Sequence, residues 1–274
     1  MKKTAIIIPC FNESLRLNTT EFSDYVQANR WVTFVFVNDG STDNTAEVIN
    51  VLSQSRPENM IALHLPDNSG KAEAVRQGVL HAMEMNFRNI GFWDADLSTP
   101  LEAIGSFCQI LESETVELVI GSRVKLLGRR IERKPFRHYL GRIFATTASL
   151  VLGLQVYDTQ CGAKIFRNGI VLKQIFLQPF RVKWTFDVEL LARFKLFQMT
   201  SEGSPLEHCA VEYPLKEWLH KGGSKVKAVD FFKGIWELMK IYALLYFPIL
   251  SKRYERQFAL CPPGRNSVSS YSIN

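Results

Sequence analysis

Cysteine is scarce in this 274-residue chain, and the few cysteines lie far apart in the sequence. They are Cys10, Cys108, Cys161, Cys209 and Cys261. Structural zinc sites usually pair cysteines two to four residues apart, and disulfide frameworks use an even number. The sequence therefore favours free thiols in a reducing, cytosolic compartment over a zinc knuckle or a disulfide scaffold.

Long apolar runs are also missing. The apolar stretch before Pro9 is only about five residues long, which is too short for the h-region of an export signal and predicts a buried first strand. Residues 143–156 form a second apolar run, shorter than the roughly 20 residues that a membrane-spanning helix needs. The sequence therefore indicates neither an export signal nor a helix that crosses a bilayer.

The two halves of the chain carry opposite charge. Residues 1–124 hold 9 Lys and Arg against 16 Asp and Glu, whereas residues 125–274 hold 24 against 11. A basic region suits a membrane surface, a phosphorylated substrate or nucleic acid, although scattered lysines often only keep a surface soluble. Charge alone therefore leaves the partner of the second half open.

Short apolar runs alternate with helical periodicity through the first half, which is typical of an α/β protein. The predicted strands are 4–9, 33–38, 60–65, 90–93 and 118–121, and the predicted helices are 45–54, 71–85 and 100–112. The continuous apolar runs favour buried parallel strands. We expect a Rossmann-like, mostly parallel central sheet flanked by helices.

The second half is basic and partly helical. We expect residues 158–166 to form a loop that returns into a strand, 184–197 an amphipathic helix and 209–214 a strand. Residues 229–252 predict an amphipathic helix that either lies in a membrane interface or packs on its own domain. The tail 253–274 is rich in Ser and Pro and predicts disorder.

Two carboxylates one residue apart, Asp94 and Asp96, follow the predicted strand 90–93. Side chains at i and i+2 of a strand point to the same side, so both can face one ligand. Polar clusters also follow the other early strands, at 12–13, 38–43 and 68–71. Because ligands of such sheets bind at the carboxyl ends of the strands, we expect these loops to converge on one rim. Hard carboxylate oxygens at this rim suit Mg²⁺ or Mn²⁺.

Five segments in order resemble glycosyltransferase family 2, whose members have the GT-A fold and use nucleotide sugars. The segments are IIIPCFNES, FVNDGSTDNTAEVI, NSGKAEAVRQG, FWDADLSTP and GSRV. Further on, DTQCGAKIF, WTFDVELL and the stretch ending in GGSKV resemble more narrowly the dolichyl- or polyprenyl-phosphate β-glucosyltransferases, cousins of the dolichyl-phosphate mannose synthases. The resemblance covers about residues 4–230. It implies a GT-A domain over 1–228, in which residues 1–124 bind the nucleotide and residues 125–228 bind the acceptor.

This resemblance implies an inverting enzyme that moves a hexose, glucose, from UDP-glucose to a polyprenyl or dolichyl phosphate. The residues that match nucleotide-sugar-binding positions are Pro9, Phe11, Glu13, Asp39, Lys71, Asp94, Asp158, Gln160 and Ser224. Asp39 matches the acid that accepts a hydrogen bond from the uracil imide. Phe11 would offer an aromatic face to the base, and Lys71, which opens a helix, suits a diphosphate.

The implied metal set is Asp94, Asp96 and Ser98, holding Mg²⁺ or Mn²⁺. Asp96 matches the direct ligand, and Asp94 faces the ribose or a metal-bound water. Ser98 stands where the mannose synthases carry a third ligand, Gln, so its shorter hydroxyl would act through water.

The residues that match the catalytic positions are Asp187, Arg123 and Lys225. Lys225 and Lys71 would neutralise charge on the departing UDP. A phosphate acceptor has a second pKa of about 6 and is already anionic at neutral pH. The implied reaction therefore needs no general base, and Asp187 would position the sugar or the acceptor. Cys161 is expected to pack rather than react, because no histidine partner is evident.

Arginines in the basic stretch before residue 143 would attract the lipid phosphate and an anionic leaflet. The acceptor-phosphate candidates are Arg133, Arg137 and Arg142. With the apolar stretches 143–156 and 231–250 lying in the interface, we expect peripheral attachment to the cytoplasmic face of a membrane and no nucleic-acid partner.

Three alternatives stay open. The same fold can serve a glycan or other hydroxyl acceptor, in which case Asp187 becomes a true base. A nucleotidyltransferase also uses acidic pairs at a sheet edge and would release pyrophosphate. A non-catalytic basic module that binds membrane or nucleic acid is the third, and strongly salt-dependent binding to DNA would favour it.

Overall fold

The computed structural model describes residues 3–113, 115–132, 135–200, 205–219, 221 and 228–247, and of these it leaves the side chains of 135–138, 200 and 228–232 undescribed. The predicted disordered tail 253–274 lies outside the described residues. So do Arg133, Ser224 and Lys225, and the side chain of Arg137.

Seven of the described strands form one sheet in the order β3-β2-β1-β4-β7-β5-β8, and two short strands, β6 and β9, form a second. The strands are β1 (Thr4–Cys10), β2 (Val32–Asp39), β3 (Met60–Leu65), β4 (Asn89–Trp93), β5 (Leu118–Ser122), β6 (Arg130–Ile131), β7 (Ala163–Arg167), β8 (Ala210–Pro214) and β9 (Glu217–Trp218). Strand β7 runs antiparallel to both of its neighbours, β4 and β5. The other neighbouring pairs are parallel. The predicted mostly parallel α/β sheet is confirmed.

The sheet has a hydrophobic core on each face. Strand β2 is buried at every position, with Val35 and Val37 in one core and Phe34 and Phe36 in the other. A strand buried on both faces gains from apolar side chains at successive positions. This is why the early strands are continuous apolar runs rather than alternating ones.

Helices cover both faces of the sheet. They are α1 (Thr19–Ala28), α2 (Thr45–Ser55), α3 (Lys71–Met83), α4 (Ala103–Ile110), α5 (Pro135–Leu152), α6 (Ile170–Phe176), α7 (Phe186–Thr200), α8 (Leu206–Cys209) and α9 (Ala228–Tyr246). Sequence interpretation missed α1. Its signal is a capping pattern, in which Asn18 Oδ1 accepts a hydrogen bond from Glu21 N at 3.2 Å.

Helix α7 differs from its prediction as an amphipathic helix. Residues 186–194 are all buried, including Asp187, Glu189 and Arg193. The helix packs against α5, α6 and α9 and therefore has no broad solvent face. The prediction of an amphipathic helix was wrong, because charges in its sequence are paired inside the protein rather than exposed.

Helix α9 has one packed face and one exposed face. Gly234, Leu238, Ile241 and Leu244 are buried against the domain, which α9 contacts through α5 and α7. The large apolar side chains of the other face are exposed: Ile235, Trp236, Met239, Tyr242 and Tyr246. Along the described stretches of the chain, no helix combines the length and hydropathy needed to cross a membrane.

The loops after the first four strands each contain a residue with left-handed backbone. These are Asn12 (φ 52°) after β1, Gly40 (φ 60°) after β2, Gly70 (φ 92°) after β3 and Leu97 (φ 52°) after β4. This conformation suits glycine and asparagine and is costly for leucine. The turns are therefore sharp at the sheet edge where parallel strands bring their carboxyl ends together.

Candidate functional site

The first two rim loops are joined by side chain to backbone hydrogen bonds. Asn12 Oδ1 accepts from Thr42 N at 2.9 Å, and Asn12 N donates to Ser41 Oγ at 3.0 Å. Asp43 accepts from the backbone N–H groups of Ser14 and Thr45 and from both hydroxyls. Slight burial would raise the pKa of Asp43, but these hydrogen bonds outweigh it and lower the pKa to about 2.

Asp39 ties the second loop to the third. Its Oδ1 and Oδ2 accept hydrogen bonds from Ser69 N and Gly70 N, each at 2.8 Å. The side chain is buried, and an added Cβ on Gly40 would overlap the backbone of Asp67 and Asn68. The predicted uracil-binding acid therefore also fixes the entry to α3. The convergence of the loops on one rim is confirmed.

Lys71 connects the third loop to the fourth. It is the first residue of α3, and its Nζ lies 2.5 Å from Asp94 Oδ1. Desolvation alone would lower the pKa of Lys71, but Asp94, Asp187 and Asp96 nearby raise it. The amine therefore stays charged beside a helix N-terminus, which is a favourable place for phosphate oxygens.

The acidic loop after β4 is a tight turn. Asp96 Oδ1 accepts from Ser98 N at 2.9 Å, and Trp93 Nε1 donates to Thr99 O at 2.8 Å. Leu97 takes the left-handed backbone of this turn. Backbone strain of this kind costs about 1–3 kcal/mol and is concentrated at functional sites. In this turn the side chains of Asp94 and Asp96 are 39% and 27% exposed.

Gly162, in the DTQCG segment, lies directly against Asp94. A Cβ added to Gly162 would overlap the Asp94 carboxylate. The contact arises because β7 pairs with β4, with Ala163 opposite Trp93. A glycine is therefore required at position 162, because a side chain there would take the space of the Asp94 carboxylate.

Arg123 and Asp158, both predicted site residues, bind each other. Arg123 Nε and Nη2 donate to Asp158 Oδ2 and Oδ1 at 2.6 and 2.7 Å, and the guanidinium lies 5.4 Å from the centre of the Trp218 ring. Burial alone would lower the pKa of Arg123, but Asp158 raises it. Glu212 accepts from Asp158 N at 2.9 Å. The two residues form one rigid unit rather than two independent groups.

Asp187 is paired with a residue that sequence interpretation missed. Lys164 Nζ donates to Asp187 Oδ1 and, at 2.7 Å, to Cys161 O. Lys164 is fully buried, and Asp187 is 4% exposed. The only sequence signal for Lys164 is a charged residue inside the apolar strand β7. In this structure Asp187 is a neutralised, immobilised carboxylate, not a free one.

Cys161 lies in the same segment and is buried. Desolvation raises the pKa of its thiol to about 11, although Arg123 and Lys164 oppose the shift. The thiol is therefore protonated at neutral pH and fits the predicted packing role. Burial also raises the pKa of Cys108 and Cys209, each to about 11.

The acidic loop has a donor set that fits Mg²⁺ or Mn²⁺. Asp94 and Asp96 offer partly exposed, hard carboxylate oxygens, whose present partners are the cations Lys71 and Arg16. No cluster of three acidic, histidine or cysteine side chains suited to a metal occurs among the described residues. A two-carboxylate site leaves the remaining positions to water and phosphate oxygens, as Mg²⁺ prefers. Ser98 is buried, and its role as a ligand stays a prediction.

The remaining predicted residues lie on β1, in the first rim loop and on α5. Pro9 is the second-last residue of β1, and Phe11 and Glu13 follow in the first rim loop. Arg142 stacks on the Tyr157 ring at 3.6 Å and donates to Tyr157 O at 2.8 Å. Their assigned roles in binding base or acceptor phosphate stay predictions.

Three buried polar atoms near Arg123 and Asp158 have no hydrogen-bond partner among the residues that the structure describes. They are Ser122 Oγ, Thr159 Oγ1 and Gln160 Nε2. Buried polar groups are nearly always satisfied, and unsatisfied ones call for a partner such as water or a ligand. Because these atoms are enclosed, an ordered water, which both donates and accepts hydrogen bonds, is the partner that fits them.

Comparison with known proteins gives consistent matches. The family model described as glycosyl transferase family 2 matches residues 5–174. Dolichyl-phosphate beta-glucosyltransferases from Trichomonas vaginalis and Saccharomyces cerevisiae are each 30% identical, covering 89% and 86% of this chain and 71% and 73% of the relatives.

A solved structure gives the fold match. Glucosyl-3-phosphoglycerate synthase from Mycobacterium tuberculosis, in complex with Mn²⁺, UDP-glucose and phosphoglyceric acid, is 15% identical. The structural match covers 88% of this chain and 79% of the synthase chain, with a TM-score of 0.58. The likeness supports the predicted GT-A type of fold.

Proposed function

The chain belongs to glycosyl transferase family 2, and from that premise we propose that this glycosyltransferase moves glucose from UDP-glucose to a dolichyl or polyprenyl phosphate. The relatives named as dolichyl-phosphate beta-glucosyltransferases support glucose as the sugar and dolichyl phosphate as the acceptor. The observation that carries the proposal is the buried pair of Asp187 and Lys164, because it bears on the chemistry of the acceptor.

A hydroxyl acceptor needs a general base, and a general base must be free to take a proton. Asp187 is the acid that would serve, and its carboxylate is already neutralised by Lys164. A phosphate acceptor arrives as an anion and needs positive charge and positioning instead. The pairing of Asp187 therefore favours a phosphate over a hydroxyl.

The donor would bind across the four rim loops. Asp39 and the loop it closes would receive the uracil, and Lys71 would approach the diphosphate from the N-terminus of α3. Asp94 and Asp96 would hold Mg²⁺ or Mn²⁺, and the chemistry that such an ion supplies is neutralisation of charge on the leaving diphosphate.

The acceptor would be presented at a membrane surface, to which the protein attaches peripherally. The exposed face of α9 supports this, since Trp236 and Met239 are 61% and 59% exposed. Helix α5, against which α9 packs, exposes Tyr139, Ile143 and Leu150. Aromatic and aliphatic side chains on one face of a helix suit the interface of a bilayer. Arg142, with Arg133 and Arg137, would meet the lipid phosphate.

The decisive experiment incubates the protein with radiolabelled nucleotide sugars, Mn²⁺ or Mg²⁺, and a defined polyprenyl phosphate. We expect label from UDP-glucose to enter the organic phase, and no label when EDTA is present. In a parallel reaction with a water-soluble glycan in place of the lipid, transfer of label to the glycan would instead indicate a hydroxyl acceptor. In another, with a nucleoside triphosphate and a sugar phosphate, release of pyrophosphate would point to nucleotidyl transfer.

A further inference from the structure

The carboxylate of Glu237, on α9, collects hydrogen bonds from the residues that lead into α7. Its Oε2 accepts from Thr185 N at 2.8 Å, from Thr185 Oγ1 at 2.9 Å and from Trp184 N at 3.1 Å. Its Oε1 accepts from Lys183 N at 3.1 Å. One side chain therefore binds the backbone of three consecutive residues that lie about 50 positions earlier in the sequence.

The hydrogen bonds fall where α7 begins. Val188 N donates to Thr185 O at 2.9 Å, which makes Thr185 the capping residue immediately before Phe186, the first residue of α7. The first N–H groups of a helix lack partners within it, and a nearby negative charge is favourable there. The hydroxyl of Thr185 donates to Glu237. The start of α7 is thus fixed by a residue of another helix.

Close packing reinforces the same connection. A Cβ on Gly234 would overlap the Trp184 ring, and Trp184 meets Phe144 of α5 edge to face, with ring centroids 5.3 Å apart. Gly234 lies on α9 three residues before Glu237. Trp184 is therefore held between α5 and α9, immediately before the residues that Glu237 binds.

Two residues after Thr185, α7 carries Asp187 to its pair with Lys164. We propose that Glu237 is a positioning residue for glycosyl transfer: by fixing Trp184 and Thr185 it holds Asp187 and Lys164 in register at the acceptor side of the site. The proposal rests on the proposed function where it is tested by glycosyl transfer, but not where it is tested by hydrogen exchange at the start of α7. Helix α9 also exposes Trp236 and Met239. Glu237 and the face proposed to meet lipid therefore belong to one helix.

The test compares Glu237→Ala and Glu237→Gln with Lys240→Ala, a control at an exposed position of the same helix. Transfer to a short-chain polyprenyl phosphate in detergent avoids any effect of membrane docking. We expect Glu237→Ala to lower kcat about 100-fold, as displacements near 1 Å do. Glu237→Gln keeps one acceptor oxygen, so its kcat should fall less than that of Glu237→Ala. The Kd for UDP should stay unchanged, because the rim loops do not contact Glu237.

Hydrogen exchange gives a readout that needs no turnover. In Glu237→Ala, amides of 183–189 should exchange faster, whereas those of α2 should not change. If exchange rises but kcat holds, or if exchange does not change, the positioning role is overturned. Loss of UDP binding together with kcat would also overturn it, since that indicates general unfolding. If the unaltered protein transfers nothing, the proposed function fails, and the exchange result still decides whether Glu237 holds the start of α7.

Discussion

The charged residues at the rim differ in burial from those beneath it. Lys71, Asp94 and Asp96 are paired, yet they remain between 27% and 40% exposed. Beneath them, the pairs Lys164–Asp187 and Glu189–Arg193 are almost completely buried. Exposed pairs contribute little to stability and exchange partners at low cost. Removing one member of a buried pair leaves an uncompensated charge. The rim is therefore able to trade its present contacts for a ligand, and the buried pairs form its frame.

Breaking the frame should have the largest effect. Lys164→Met leaves Asp187 buried without its cation, and we expect the free energy of unfolding to fall by about 3–5 kcal/mol. Lys71→Met, the matched change at the rim, should cost less than about 1 kcal/mol. Urea denaturation measures both. Equal losses for the two variants would contradict the distinction between frame and rim.

A second arm separates stability from activity at the buried pair. The double variant Lys164→Met with Asp187→Leu replaces both charges by apolar groups of similar size. Such replacements are often neutral or stabilising, so the double variant should regain most of the stability lost by Lys164→Met alone. Transfer activity should not return, because the acceptor side has lost its charged groups.

At the rim, Asp96→Asn should leave the fold intact and disable the chemistry. Its side chain is partly exposed, so the melting temperature should change little. We expect kcat for transfer to fall about 100- to 1000-fold, the range seen when one preorganised electrostatic group is lost. Asp24→Asn, at an exposed position of α1, is the control. Calorimetry with Mn²⁺ and UDP should show weakened binding in Asp96→Asn alone.

The contact between Gly162 and Asp94 links the two regions. Gly162→Ala forces the Asp94 carboxylate aside, and we expect a loss of up to about 100-fold in kcat/KM for UDP-glucose. Gly141→Ala, where an added Cβ meets open space in α5, should keep full activity and gain a little helix stability. Unchanged kinetics in Gly162→Ala would show that Asp94 has room to move without consequence.

The smallest effect concerns pH and the exposed network around Asp43. Its pKa is lowered to about 2 in the folded protein, so its hydrogen bonds stabilise the protein above the ordinary carboxyl pKa of about 3.9. This contribution is lost as the pH falls through about 2. Asp43→Ala should therefore lower the melting temperature slightly at pH 6. The difference from the unaltered protein should vanish near pH 2, and a difference that grows on acidification would contradict this assignment.

Much of the rim could be predicted from the sequence, because the signals that define it lie within a few neighbouring residues. Continuous apolar runs mark the early strands, and polar residues directly after them must lie at the carboxyl edge of a parallel sheet. This is how Asp39, Lys71, Asp94 and Asp96 could be placed at the rim from their sequence positions. The capping pattern at the start of α1, Asn18 followed by Glu21, is equally local.

The buried frame could not be found in this way. Lys164 stands in an apolar strand and Glu237 in an amphipathic helix, and neither position carries a local sign of its partner. Charges on α7 suggested an exposed face, although the helix is enclosed. Their partners depend on which elements lie beside α7, and local periodicity does not report this.

The sequence by itself determined the alternation of strands and helices from β2 to β5, the buried character of the early strands and the polar loops at the rim, since each follows from side-chain periodicity over a few residues. The tertiary structure decided that β7 lies antiparallel between β4 and β5, which sets Gly162 against Asp94 and Lys164 against Asp187. It also decided that α9 reaches the start of α7. These contacts join residues far apart in the chain, and their free energy depends on burial that exists only once the whole domain has packed.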